Sequence, residues 1–282
     1  MSILFPTDLS EQSAVTFEFA MDLAKKLNET ITLIHVYGVP MTYPSMDESR
    51  LNDVAEEMIQ ATETAMEDRL KLFKDDLKSR YTSHAPEMVR VDGMLKMGFV
   101  ADEIANAAEE INAAFIVVGV KHTKGLKRFL GGSNVASIIK KCKTPIITVP
   151  ENYSFKPIQK IAYATDLTFN DSEIISRMLD FAANFEAHIK CFHVHDSNLE
   201  IENAIIDDFI QQYKNEVERR ILSFEMVDNI NILDGIDFFV HQQDIDLLVV
   251  LKQKTYWLEI FETSITKQLV FHENVPMLVY HE

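Results

Sequence analysis

The chain writes one architectural phrase twice. Pro6-Thr7-Asp8-Leu9-Ser10 recurs as Ala164-Thr165-Asp166-Leu167-Thr168, and Ile31-Thr32-Leu33-Ile34-His35-Val36 recurs as Ile189-Lys190-Cys191-Phe192-His193-Val194, each pair 158 positions apart. Further along, Phe115 matches Leu247 at a separation of 132, and Pro145 matches Pro276 at 131. The second half therefore has 26 fewer residues between its second and fourth strands, and one fewer in the loop that follows. A period this long belongs to whole domains rather than to a solenoid unit, and 282 residues accommodate two of ordinary size. The expected domains are 1–150 and 151–282.

Within each half, short β-branched runs alternate with amphipathic segments, the pattern of an α/β fold built on a mainly parallel sheet. In the first half, strands are expected near Ser2–Phe5, Ile31–His35, Glu87–Val91, Phe115–Val118 and Ile146–Val149. Helices are expected over Glu11–Leu27, capped near Ser10 with Val15, Phe19 and Leu23 on one face, over Asp47–Lys78 with a stripe of Met66, Leu70, Phe73 and Leu77, over Asp102–Glu110 and over Ser133–Lys141. The second half repeats this from Ile161, with a shorter second helix at about Glu200–Phe224 and an abbreviated third around Ile236–Gln243.

The repeat is not exact where it matters most. The first half reads Ile116-Val117-Val118-Gly119, a basic stretch, and then Gly131-Gly132-Ser133-Asn134. The second reads Leu247-Leu248-Val249-Val250-Leu251, a stretch without glycine, and then Thr263-Ser264-Ile265. In open α/β sheets, ligands sit beyond the carboxyl ends of the strands where strand order reverses, which would place Asp8 and Gly119 on one crevice. Gly119 is expected to permit a turn with positive φ and close approach of a ligand. Gly131-Gly132-Ser133-Asn134 would present the free N–H groups and positive dipole end of the last helix to an anion. Charge agrees. From Lys121 to Lys143 there are seven basic residues and no acidic one, whereas the matching window 252–274 holds three of each sign.

That basic loop lies in an acidic chain. The formal net charge is −17, of which −4 falls on residues 1–150 and −13 on 151–282. Such a surface disfavours nucleic acid and anionic membrane. No apolar run approaches the ~20 residues of a membrane span, and the first strand begins almost at Met1, so a cytoplasmic setting without a signal peptide is expected. Cys142 and Cys191 stand in different halves, unlike a metal or disulfide framework, and read as core.

Taken together, almost the whole chain resembles a tandem universal stress protein, two Rossmann-like, adenine-nucleotide-binding α/β domains in one polypeptide. The family's loop runs Gly, two residues, Gly, nine residues, Gly-Ser or Gly-Thr. Here Gly119, Val120-Lys121, His122, nine residues and Gly132-Ser133 occupy those places, with His122 at the middle glycine. The resemblance implies five-stranded sheets of order 3-2-1-4-5 and a stress-response regulatory role with ATP or AMP in the first domain, Mg2+ accompanying ATP. Asp8, with Pro6 and Thr7 before it, would hold the ribose or adenine end and Val36 would line the base pocket. Gly119, Gly132, Ser133 and Asn134 would hold ribose and phosphates, with His122 beside them. In the second half Asp166, Val194 and Ser264 survive, while Leu251, Lys254 and Thr263 replace the glycines, so a structural role is expected there. The family's last strand pairs across a dimer interface. Pro145–Val149 and Pro276–Tyr280 are candidates to pair within this one chain, and a homodimer is a further expectation.

Rival readings of single residues are weaker. His193, His195 and Asp196 invite a metal site, but His35 repeats His193 as a structural position, and no metal centre is expected. Ser133, His122 and Asp8 invite a hydrolytic triad, but Gly131-Gly132-Ser133-Asn134-Val135 lacks the G-x-S-x-G elbow. No catalytic residues are expected. The alternatives to nucleotide-dependent regulation are a nucleotide-free interaction scaffold with unknown protein partners and a slow ATPase in the same crevice. Trp257, which replaces Gly125, is a candidate plug for the vacated second pocket or a cover for a domain contact.

Overall fold

The computed structural model describes residues 2–38, 48–82, 89–120, 133–151, 153–154, 156–167, 171–195, 203–252 and 275–281. They form a mixed α/β protein with mostly parallel strands, divided into two compact units. The first comprises described residues within Met1–Gly119 and Gly132–Thr144, the second those within Val120–Gly131 and Pro145–Glu282.

In the first unit, β1 (Ser2–Pro6), α1 (Glu11–Leu27), β2 (Thr30–Tyr37), α2 (Glu48–Thr82), β3 (Val91–Met97), α3 (Val100–Glu110), β4 (Ala113–Val120) and α4 (Ser133–Lys141) follow one another. β1 pairs in parallel with β2 on one side and β4 on the other, and β2 pairs in parallel with β3. β1 is therefore central, which is why Ile3, Leu4 and Phe5 form an unbroken apolar run with no exposed surface. Ser10 caps α1, its hydroxyl accepting from the N–H of Ser13 at 3.3 Å, and Asn28 closes it in the left-handed conformation at φ 55°. The buried face of α1 is centred on Phe17, Ala20 and Leu23, so Phe19 and Leu23 are inside as expected but Val15 falls on the solvent side. On α2, Leu70 and Leu77 are buried and Met66 and Phe73 half-buried, giving the expected stripe.

In the second unit, β5 (Ile146–Pro150), β6 (Lys160–Ala164), α5 (Asp171–Ala183), β7 (His188–His195), α6 (Asn203–Gln212), α7 (Lys214–Glu218), β8 (Leu222–Asp228), α8 (Ile232–Gln243), β9 (Leu247–Lys252) and β10 (Met277–His281) appear in turn. Parallel pairing runs β8-β7-β6-β9-β10, the expected order 3-2-1-4-5. β5 pairs antiparallel with β10, Ile147 opposite Leu278, so the two Thr/Val-Pro strands do pair within one chain.

Three elements depart from expectation. α8 is not abbreviated: it covers Ile232–Gln243, 12 residues against the 11 of α3, and starts early because the Asn231 side chain caps it by accepting from the N–H groups of Leu233 and Asp234. β3 covers Val91–Met97 rather than Glu87–Val91, because Asp92-Gly93 reads as a turn but lies in the strand, Gly93 facing Leu33 of β2. Leu70 of α2 packs where the glycine leaves space, 3.4 Å from the position a Cβ would take. The expected helix at about Glu200–Phe224 is broken into α6 and α7 and ends before β8, where Leu222-Ser223-Phe224-Glu225-Met226-Val227 alternates with the period of a strand.

Candidate functional site

Where β1 ends, its neighbours β2 and β4 diverge in chain order, and the backbone makes a tight turn. The N–H of Thr7 donates to the carbonyl of Ile34 at 2.9 Å, and the Thr7 hydroxyl accepts from the N–H of Leu9 at 2.9 Å. Leu9 adopts φ 59°, a left-handed conformation that costs a bulky residue and points to a geometry held by its surroundings. The Thr7 carbonyl accepts from His35 Nδ1 at 2.9 Å, which fixes the ring proton on that nitrogen, since a carbonyl only accepts. His35 is thus a clamp from β2 onto the turn. Thr7 is buried and Pro6 half-buried, while Asp8 is exposed. Its Oδ1 accepts from the N–H of Ser10 at 3.1 Å, the Ser10 hydroxyl at 2.5 Å and the Ser13 hydroxyl at 2.7 Å.

Gly119 stands near the end of β4, parallel to β1, so Asp8 and Gly119 share the carboxyl edge of the sheet. The same helix touches both. α1 holds Asp8 through Ser13, and one turn later Thr16 comes so near Gly119 that a Cβ there would lie 2.5 Å from its hydroxyl oxygen. The reason for this glycine differs from expectation. Gly119 lies within β4 and has no positive φ; its bare backbone admits α1, rather than making a turn. Val36 sits half-buried on β2, two residues past Ile34 at the same edge. Ser133 opens α4 and Asn134 is exposed in its first turn; α4 packs on α3, where Lys141 pairs with Asp102 at 2.5 Å. His122 and Gly132 lie outside the described residues, as do Lys254, Trp257, Thr263, Ser264 and Asp196. The roles of Ser13 and Thr16 escaped sequence reading, although Asp8-x-Ser10-x-x-Ser13 carries the spacing of a capped first turn facing an aspartate.

The second unit keeps the turn and changes what lies beneath it. Thr165 N–H donates to the Phe192 carbonyl at 2.9 Å, its hydroxyl accepts from Leu167 N–H at 2.9 Å, Leu167 has φ 60°, and His193 Nδ1 meets the Thr165 carbonyl at 2.7 Å. His193 is therefore the structural counterpart of His35. The position matching Ser13 is Asp171, only 6% exposed, whose two oxygens accept from the hydroxyls of Tyr163 and Thr165, each at 2.5 Å. Burial first, then the neighbouring Asp171 charge, pushes the Tyr163 phenol and the Cys191 thiol well above their usual ranges. Both cysteines are buried in the core. Over the edge of the second unit, Gly235 of α8 sits against Val194, where a Cβ would lie 2.5 Å from Cγ1. Among the described residues no group of three or more His, Cys, Asp or Glu is placed to hold a metal ion, and no helix is long and apolar enough to cross a membrane.

The sequence profile of the universal stress protein family matches residues 1–150, which include this strand-end turn, β4 and α4. The chain belongs to the universal stress protein family. A universal stress protein of Methanocaldococcus jannaschii is 23% identical over 164 residues, 54% of this chain and 96% of its own. The crystal structure of a universal stress protein from Archaeoglobus fulgidus covers 100% of this chain and 96% of its own at TM-score 0.68 and 16% identity, a likeness of fold along the full length. A shorter universal stress protein, solved in complex with cAMP, is 18% identical and covers 54% of this chain and 98% of its own, with a TM-score of 0.39.

Proposed function

We propose that this universal stress protein is a stress-response regulator that binds an adenine nucleotide, ATP or AMP, in a domain spanning residues 1–150. Residues 151–282 then form a second, degenerate domain of the same family with a structural role. The observation that carries this reading is the exposed Asp8 carboxylate, held at the carboxyl edge of β1 by α1 and beside the bare Gly119 of β4. A carboxylate accepts only, so it suits the ribose hydroxyls or the exocyclic amine of a nucleoside and repels phosphate. The phosphates are assigned to the other end of the pattern, Gly132, Ser133 and Asn134 at the start of α4, with His122 and the loop lysines supplying positive charge. Mg2+ would accompany ATP. The second unit fits this role poorly, because Leu251 replaces Gly119 and Asp171 adds a second carboxylate to the strand-end turn.

Mass spectrometry of ligand released from purified protein, with calorimetric titration of ATP, AMP and cAMP, tests the reading. Saturable binding of one site per chain is expected, and no heat at millimolar nucleotide would sink it. Gly132→Asp should abolish binding while the circular dichroism spectrum stays unchanged; retained affinity would place the ligand elsewhere. A cytoplasmic location and self-association belong to the same proposal and are checked by cell fractionation and sedimentation.

A further inference from the structure

We infer that Ser13 is a positioning residue for Asp8, and that the side chain at this point of the repeat decides which half of the chain can read a nucleoside. The inference rests on the nucleotide reading given above. Three donors converge on one oxygen of Asp8, and they are not equivalent. Ser10 lies two residues away and supplies its N–H and hydroxyl from within the same turn, as aspartate-led turns commonly allow. Ser13 belongs to the first turn of α1, whose place is set by the burial of Phe17, Phe19 and Ala20 beneath it. Its hydroxyl at 2.7 Å therefore ties the carboxylate to the rigid part of the unit. With Oδ1 held from the helix, the plane of the carboxylate is fixed, and so is the direction from which a ligand donor must approach. Such preorganisation favours binding because the group need not be ordered when the ligand arrives.

The second half supplies the contrast. Its Thr165-Asp166-Leu167 turn has the same threonine hydroxyl contact, the same left-handed leucine and the same histidine clamp as Thr7-Asp8-Leu9. The helix residue that faces the turn differs in kind. Asp171, where the first half has Ser13, is turned into the fold towards Tyr163 and Thr165, and an ionised carboxylate has no hydrogen to give Asp166. The substitution puts a carboxylate where the first half has a hydroxyl donor and brings a second negative charge to the same place. The ligand chemistry that distinguishes the two halves is thus a neutral O–H or N–H donor on a nucleoside, from either the ribose or the base.

The experiment uses the full chain and three probes: ATP, its 2′,3′-dideoxy analogue, and purine riboside triphosphate, which lacks the exocyclic amine. Wild-type protein is expected to prefer ATP over one of the two analogues by about tenfold, the worth of a hydrogen bond to a charged acceptor. Ser13→Ala should weaken ATP by a similar factor and leave that analogue within about twofold of its wild-type affinity, so that the preference collapses. Ser13→Thr, which keeps the hydroxyl, should restore it. The analogue whose discrimination is lost identifies whether ribose or amine is the donor. A merely structural serine would weaken all three probes alike, and that result, an unchanged preference in Ser13→Ala, or no preference in the wild type overturns the inference. Absence of binding by wild type to every probe is a separate outcome, which removes the nucleotide reading itself and the inference with it.

Discussion

The strand-end turns of the two units share a backbone and differ in how they treat negative charge. After β1, the carboxylate is outside: Asp8 is exposed and gathers hydroxyls from Ser10 and Ser13, above a wholly apolar Phe5 that packs edge-on against Phe17 at 5.4 Å. After β6, a carboxylate is also inside: Asp171 is buried, and the residue matching Phe5 is Tyr163, whose hydroxyl it takes. The changes are matched in pairs, serine with phenylalanine and aspartate with tyrosine, so the buried Tyr163 hydroxyl finds an acceptor and the first unit has no hydroxyl at that place to satisfy. The edge above changes with them. Gly119 and Thr16 fit together in the first unit, and their counterparts in the repeat are Leu251 and Ile174, both buried apolar groups. Among the described residues, the first unit places a bare glycine and a polar threonine at this edge, and the second places two buried apolar side chains. A shared backbone is therefore poor evidence for shared binding; the chemistry resides in what the turn is built upon.

The largest effect should come from removing the buried carboxylate. Asp171→Ala strands the Tyr163 hydroxyl in the core and takes an acceptor from Thr165, at about 1–3 kcal/mol for each group. A loss of about 3 kcal/mol in urea unfolding is expected, whereas Ser13→Ala, at an exposed hydrogen bond in the other unit, should cost about 1 kcal/mol or less. Equal costs at the two positions would break the contrast. An unchanged Asp171→Ala would mean that the desolvation of the carboxylate cancels its hydrogen bonds.

A smaller effect sharpens the comparison of the edges. Gly235→Ala places a methyl group 2.5 Å from Cγ1 of Val194 and 3.1 Å from Cγ2, so α8 or β7 must give way. A destabilisation of about 2 kcal/mol is expected, the usual cost of overpacking, and Val194→Ala in the same chain should recover much of it. In the first half the residue matching Gly235 is Glu103, whose side chain folds over Gly98 instead. Glu103→Ala should therefore cost under about 0.5 kcal/mol as a change away from the packed core. If Gly235→Ala is neutral, α8 does not press on Val194.

Much of this fold is legible in the sequence because burial on both faces of a parallel sheet leaves an unmistakable run of apolar residues, as in Ile3-Leu4-Phe5 and Leu247–Leu251. The strand at Val91–Met97 is not, since Asp92-Gly93 obeys local turn preference, while the space under Leu70 that overrides it belongs to tertiary packing. Asp8 and Gly119 are legible as neighbours across the switch point. What escapes is the second partner of each. Ser13 and Thr16 look like ordinary polar positions of an amphipathic helix, and only the rotation of α1 on the sheet turns one towards Asp8 and the other towards Gly119. A rotation is a property of the whole packed face and has no residue that announces it.

An effect smaller than that of Gly235→Ala concerns the two strands that pair antiparallel. Tyr280 of β10 is buried, whereas its counterpart in β5, Val149, has nothing to titrate. Burial pushes the Tyr280 phenol up to about 12, with the Arg177 charge opposing and Asp180 adding to it. A phenol whose folded value exceeds its unfolded value of about 10 favours the fold while protonated, and that contribution is fully present below pH ~10. As pH rises, the unfolded chain releases its proton first, so the contribution is lost between about 10 and 12. At pH 11 this one residue should remove about 1 kcal/mol of stability relative to pH 9. Tyr280→Phe should lessen the fall in urea midpoint over that interval by the same amount, while Val149→Ala, which costs packing but carries no proton, should shift both midpoints down and leave their difference intact. An unaltered alkaline slope in Tyr280→Phe would mean that the strand opens before the phenol ionises, and that the β5–β10 pairing yields ahead of its buried tyrosine.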